Sequence, residues 1–186
     1  LEYRPNLQAK SLKAGVAEII GLVGDEVATA PFAGMLIKGA QDRAWQDRHM
    51  LMAIDTGGDD ALERAAVETM LSHQVRGIIY TAMYHREVEI PAAAFGARVV
   101  CLNARDVEGR APSVTPDEIT GGYEATKVLL DAGHTRIAMI NIHEALPAAR
   151  GRRKGYERAL SEAGLEPDLH EMYRNWHFFR TVISNV

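Results

Sequence analysis

Short apolar runs alternate along this chain with longer segments in which apolar residues recur at helical spacing. The runs at residues 18–23, 50–54, 75–80 and 98–102 predict four strands. Between the first two, a helix is predicted from about Thr29, which caps it. Pro31 falls in its first turn, and Phe32, Met35, Leu36 and Ala40 share a face expected to pack inward. A second helix is predicted over residues 60–73, burying Leu62, Ala66 and Met70. Strands that are apolar throughout, each followed by a helix, predict a parallel sheet with helices on both faces. Parallel neighbours need a crossover, and a strand covered on both sides loses its polar alternation. The carboxyl ends of such strands line a crevice.

The stretch 103–116 breaks the pattern: it is polar, holds Gly109, Pro112 and Pro116, and has no apolar period. There the chain is expected to cross to a new layer. Beyond it, a helix over 121–132 is predicted to turn Ala125, Val128 and Leu129 inward and to stop at Gly133. A strand at 136–140 and a helix over 148–163 presenting Tyr156, Ala159 and Leu160 follow, and the tail from Leu165 begins another strand or loop. Two strands and two helices make a poor closed domain, so this second unit reads as unfinished. The expected organisation is a connector at 1–14, a first lobe at 15–104, and a crossover with the start of a second lobe at 105–186.

Composition narrows the class. With 47% hydrophobic and 25% charged residues the chain is an ordinary globular protein. A net charge of −4 offers no broad cationic surface, so nucleic-acid contact would have to come from a local element. The first thirteen residues hold Arg4, Lys10 and Lys13 against Glu2 alone. Cys101, the single cysteine, sits in an apolar run and reads as a small buried hydrophobe. No stretch approaches the roughly 18 apolar residues of a membrane span, and residues 1–6 have no secretion-signal core; a cytoplasmic protein is expected, without a membrane partner. Leu1 in place of an initiator Met implies sequence upstream.

Several chemical signals lead elsewhere. Gly57-Gly58-Asp59-Asp60 has neither a dinucleotide fingerprint nor a phosphate-loop lysine, and reads as a turn and helix cap. The seven histidines are scattered, and His143-Glu144 are adjacent rather than a turn apart, so no metal and no cofactor are expected. His134 belongs to a Gly-His turn before a strand. With no Gly-x-Ser-x-Gly elbow and no nucleophile–base pair, the chain is not read as an enzyme.

Residues 1–12, Leu1-Glu-Tyr-Arg-Pro-Asn-Leu-Gln-Ala-Lys-Ser-Leu12, resemble the hinge segment of lactose-repressor-family (LacI/GalR) regulators, which have a Tyr-x-Pro-Asn start and then Ala-x-x-Leu. Pro5 and Asn6 start a short helix in which Ala9 and Leu12 share one face. The resemblance continues in order: Ile20-Gly-Leu-Val with Pro31-Phe32, Val75-Arg-Gly-Ile-Ile79, Gly133-His-x-Arg-Ile137, and Arg152-x-x-Gly-Tyr156-x-x-Ala-Leu160.

The family fold it implies is α/β: two flavodoxin- or Rossmann-like parallel-sheet subdomains of periplasmic-binding-protein-like type I, the second incomplete here. The function it implies is the ligand-sensing domain of a bacterial transcriptional repressor answering to a small molecule, a sugar first of all. Closure on ligand would shift the population of DNA-binding states. The implied partners are that effector, operator DNA and a second copy in a homodimer. DNA is reached through the hinge residues Asn6, Ala9 and Leu12, with Leu12 the minor-groove wedge, and through a helix-turn-helix reader absent from these residues. A linker docked on the domain is the other reading of the hinge.

In the crevice, Asp25 and Phe32 after the first strand, Asp55 and Thr56 after the second and Thr81 after the third are the expected effector contacts. From the second lobe the resemblance adds Asp117, Arg152 and Trp176. Arg150 and Arg153 leave the arginine assignment open. The helix from Pro31 matches the family's dimerising element, with Lys38, Asp42 and Trp45 on the flank left for a partner. A periplasmic-type sugar carrier with no genetic role is the alternative, and a sugar- or nucleotide-processing enzyme is a third reading that lacks its acid–base pair.

Overall fold

The computed structural model describes residues 18–26 and 31–171; Asn6, Ala9, Leu12, Thr29 and Trp176 lie outside the described residues. The chain divides into two compact units between Thr115 and Pro116.

The first unit is built on β1 (Ile19–Gly24), which runs parallel to β2 (Met50–Asp55) on one side and to β3 (Ile78–Val88) on the other. Next to β3 lie β4 (Val99–Asp106) and the short β5 (Ser113–Val114), also parallel, giving the order β2-β1-β3-β4-β5. β1 is apolar because both of its faces are covered. Leu22 packs on one side with Ala33, Ile37, Ala40, Leu51 and Ile79. Val23 packs on the other with Ala66, Val67, Met70, Ile78 and Tyr80. The period of two along a strand sends neighbours into opposite cores, and burying each of Leu22 and Val23 contributes about 2 kcal/mol.

Helix α1 (Pro31–Gln46) lies on the sheet by a different stripe from the expected one. Ala33 and Ala44 are buried, with Ile37 and Ala40 half-buried between them, while Phe32 is 43% and Met35 66% exposed. Two stripes overlap on this helix, and the sheet takes the one made mostly of alanines because small side chains bring the axis closer. Helix α2 (Asp60–Ser72) starts as expected from the Gly57-Gly58 turn. Both glycines have positive φ, and the Asp59 carboxylate accepts from the Ala61 and Leu62 amides at 2.7 and 3.0 Å. It buries Ala66, Val67 and Met70; Leu62, expected inward, is exposed.

The third strand begins later and runs far longer than the run at 75–80 suggested. Between Thr81 and Arg86 it bulges away from β4. Asn103 fills the gap: its φ is 55°, and its side-chain amide donates to the carbonyls of Ala82 (2.9 Å) and Met83 (3.1 Å). A bulge strands backbone acceptors, and a short amide side chain in the left-handed region is suited to reach them. The polar stretch after residue 103 also still belongs to the first sheet, since β4 continues to Asp106 and Ser113–Val114 pairs with Cys101 and Leu102. Cys101 is fully buried.

At the end of β4, the fully buried Asp106 carboxylate accepts from the Arg110 backbone amide, Nε and Nη2 at 2.8 to 3.0 Å. Arg110 also donates to Ile90 O at 3.0 Å and stacks over Phe95. The Arg110 guanidinium and amide hold the Asp106 carboxyl down at about 2.

The second unit pairs α3 (Glu118–Asp131) with α4 (Pro147–Glu162) beside a parallel two-stranded sheet, β6 (Ala138–Asn141) and β7 (Asp168–Glu171). Ile137, Tyr156 and Leu160 form its core. The Tyr156 hydroxyl donates to Ile137 O at 2.7 Å, and the Asn141 amide to Ala149 O at 2.9 Å, which fixes α4 on β6. Glycine decides how α3 meets α4. A Cβ on Gly122 would stand 2.2 Å from the Arg152 carbonyl oxygen, and one on Gly155 would stand 2.1 Å from that of Ile119. The inward stripe of α3 is thus Gly122, Thr126 and Leu130, while Ala125, Val128 and Leu129, expected inside, are exposed. Gly133 ends α3 with positive φ as expected, and Gly164 follows the end of α4 in the same conformation.

Two outcomes follow. Gly122→Ala should lower stability by about 1–3 kcal/mol in urea unfolding, because backbone atoms on α4 have nowhere to go. Gly121→Ala, one residue away with nothing within 4 Å of its Cβ, should be neutral or raise stability by up to about 1 kcal/mol. The Asp106 pair stabilises the fold fully above the usual carboxyl value of 3.8, and this contribution is lost as pH falls through about 2. Between pH 4 and pH 2, Asp106→Asn should therefore lose less unfolding free energy than the parent, starting from a lower value.

Candidate ligand site

In a parallel sheet of this order the chain leaves β1 toward β2 on one side and returns as β3 on the other, so a crevice opens at the carboxyl ends of β1 and β3. Gly24, the last residue of β1, pairs in register with Thr81 of β3, and Asp25 follows directly. A cavity of about 380 Å³ opens here, lined by Asp25, Tyr80, Thr81 and Arg86, by Asp60 and Glu63 of α2, and by the end of β3.

Backbone and ion-pair contacts hold the polar groups in place. The Asp25 carboxylate accepts from Arg86 Nη2 at 2.7 Å and from the Met83 amide at 3.3 Å. That pair spans the bulge, which brings Arg86 back toward β1. Tyr80 is buried and hydrogen-bonded to Glu63; burial and that carboxylate push its hydroxyl well above the ordinary tyrosine value, so it stays a donor. Thr81 is 2% exposed, and its hydroxyl has no hydrogen-bond partner among the described residues. A buried hydroxyl without a partner costs about 1–3 kcal/mol, which makes it the anomaly of this region.

Of the residues expected in the first lobe, Asp25 and Thr81 line this cavity and Phe32, Asp55 and Thr56 do not. Asp55 accepts from the Gly57 amide at 3.0 Å, and the buried Thr56 hydroxyl donates to Gly24 O at 3.1 Å, so both shape the strand ends. Phe32 stands half-exposed on α1. Sequence reasoning missed Arg86, Asp60, Glu63 and Tyr80. The Arg86-Glu-Val-Glu89 stretch, an apolar residue flanked by charges, lies at the end of β3 beyond the bulge, well past the run at 75–80 that marked the strand in the sequence.

The second unit has a hollow of about 480 Å³ between α3, α4 and β6, with apolar walls from Ala125, Leu129, Ile137 and Met139 and with Glu118 and Arg152 among its lining residues. Arg152 Nε donates to Glu118 Oε2 at 2.6 Å. The neighbouring arginines are otherwise engaged. Arg150 donates to the carbonyls of Glu144 and Ala145 at 3.1 and 2.6 Å, and Arg153 pairs with Glu144 and Glu157. Asp117 caps α3, accepting from the Thr120 amide at 3.0 Å and hydroxyl at 2.8 Å; these donors hold its carboxyl below the usual range.

A doubly wound sheet with a polar cavity at its switch point defines a ligand-binding α/β lobe. Residues 17–174 match the family model described as periplasmic binding proteins and sugar binding domain of LacI family, and the chain belongs to that family. It is 30% identical over 166 residues to the sucrose operon repressor of Escherichia coli, covering 88% of this chain and 50% of the relative. It is 29% identical over 181 residues to the ribose operon repressor of E. coli K12, covering 96% and 54%. A crystal structure of a putative LacI-family transcriptional regulator from Rhizobium etli superposes with a TM-score of 0.73 at 28% identity, covering 83% of this chain and 56% of that one. The chain thus spans about half the length of the curated relatives it matches.

Because the Thr81 hydroxyl has no partner among the described residues, Thr81→Val should leave the unliganded chain as stable as before or more stable by up to about 1 kcal/mol in denaturant unfolding. A loss exceeding about 1 kcal/mol would show that the hydroxyl is structural.

Proposed function

We propose that this chain is the ligand-sensing part of a bacterial transcriptional repressor whose effector is a small polyhydroxy molecule, a sugar in the first instance. The observation that carries the reading is the polar cavity at the β1/β3 switch point, with Asp25, Thr81 and Arg86 among its lining residues, in a chain of the family of periplasmic binding proteins and LacI-type sugar-binding domains. A carboxylate accepts from ligand hydroxyls.

Asp25 and Thr81 contact the effector from the first lobe. In the second unit Arg152, held by Glu118, is the proposed effector contact, its fork suited to paired hydroxyls. Asp55 and Thr56 frame the strand ends of the first unit and Asp117 caps α3, while Phe32 and Trp176 as effector contacts rest on the family resemblance alone. Residues 1–14 serve as the connector to a DNA reader, with Asn6, Ala9 and Leu12 at the minor groove, and the regulator works as a cytoplasmic homodimer without catalysis. Operon repressors of sucrose and ribose among the relatives favour this over a carrier.

The test is made on the complete gene product. It should open with a helix-turn-helix segment and retard DNA from its own promoter region, and a sugar that raises its thermal midpoint should change that retardation. Substituting Thr81→Val or Arg152→Ala should weaken the sugar's effect about tenfold or more while leaving unliganded DNA binding intact. A product that opens with a secretion leader and binds sugar but no DNA would make the carrier correct.

A further inference from the structure

The first unit is charged differently at the two ends of its strands. The carboxyl ends carry Asp25, Asp60, Glu63, Glu87 and Glu89 against Arg86. At the amino ends, Arg48 precedes β2, Arg76 precedes β3 and Arg98 precedes β4. The Arg76 amide donates to Ile19 O at 2.8 Å and Arg98 O accepts from the Ile78 amide at 2.7 Å, so these two stand on neighbouring strands. Arg48 lies across β1 from them, where the Met50 amide donates to Glu18 O at 2.9 Å.

All three arginines are exposed, and among the described residues none of their guanidinium groups has an ion-pair or hydrogen-bond partner. Glu18 and Asp47 share this edge, but Asp47 is held by Arg43 at 2.6 Å and Glu18 is likewise engaged. Each arginine follows a helical segment, and a cation past a helix C-terminus complements the dipole. That role accounts for each charge singly and leaves its guanidinium open to solvent.

An independent observation concerns where the chain enters the fold. Residues 1–13, with Arg4, Lys10 and Lys13 against Glu2, lead into β1 at this same edge. A cationic connector and a row of open guanidiniums thus meet on the side that a DNA reader joined through the connector would face. The row crosses β2, β1, β3 and β4, about 14 Å at roughly 4.8 Å per strand, while one DNA strand presents a phosphate about every 3.4 Å of axis. Guanidinium forks match phosphate oxygens, and the acidic carboxyl ends favour approach of a polyanion from the amino edge.

We infer that Arg48, Arg76 and Arg98 form an auxiliary contact to the phosphate backbone of duplex DNA. The inference rests on the regulator reading above and adds a sequence-independent DNA contact made by the sensing lobe itself.

Gel retardation of the complete gene product on two probes tests it: a fragment of its own promoter region and a random-sequence duplex of equal length. The triple variant Arg48→Gln, Arg76→Gln, Arg98→Gln should bind both about tenfold or more weakly than the parent at low salt, and its slope of log affinity against log salt should flatten by about 2–3. Its thermal midpoint should stay within a few degrees of the parent's. The matching triple lysine variant keeps the charges and should retain the slope. Arg76→Gln alone, flattening the slope by about 0.9, serves if the triple variant unfolds.

A glutamine variant with the parent's affinity and slope would overturn the contact and leave the regulator reading standing. Weaker binding at an unchanged slope would make the arginines structural and overturn it as well. Weakening on the promoter fragment alone would point to base reading, against a backbone contact. Failure of the folded parent to bind either probe would overturn this inference and the regulator reading together.

Discussion

The parallel pairing of β1 between β2 and β3 is the constraint on which the first unit rests. A strand with neighbours on both edges and helices on both faces has no water-facing side, so Leu22 and Val23 divide between two cores and every backbone group must find a strand partner. The same pairing sends the crossovers in opposite directions and leaves the carboxyl ends of β1 and β3 open. Gly24 beside Thr81 is therefore the last rung of a buried ladder, and the cavity opens at Asp25, the next residue.

Where the ladder ends, polar contacts take over from apolar packing. Thr56 reaches Gly24 O, Asp25 reaches the Met83 amide, and Asn103 satisfies two carbonyls stranded by the bulge. Non-glycine residues with positive φ occur at Glu26 and Asn103, where regular geometry has been given up. Such departures are stable only when their surroundings fix them, and here they let β3 carry Arg86 back to Asp25. Among the described residues this network leaves the buried Thr81 hydroxyl without a hydrogen-bond partner.

The second unit solves a different problem. Its two helices approach until backbone meets backbone at Gly122 and Gly155, which fixes their crossing with little side-chain bulk. The Arg-x-x-Gly-aromatic motif is thereby divided by task. Gly155 allows the approach, Tyr156 bonds Ile137 O below, and Arg152 emerges beside Glu118 at the hollow. The glycine and the tyrosine are demands of packing, and the arginine is held at the hollow by its pair with Glu118.

The sequence by itself determined the alternation of strands and helices, the parallel class, the Asp59 cap, the buried Cys101 and the inward face of α4, because each depends on spacing within one segment. It also carried the family resemblance and two of the cavity's residues, Asp25 and Thr81, which sit at strand ends that apolar runs mark out. Tertiary structure decided which of two overlapping stripes on α1 and α3 turned inward, since both satisfy the helical period and only the distance to the neighbouring element favours Ala33 over Phe32 or Gly122 over Ala125. It decided as well the length of β3, the bulge that Asn103 fills, and the approach of Arg86, Asp60 and Glu63 to one cavity. Those residues come from separate segments, and no periodicity along the chain records what meets across a sheet.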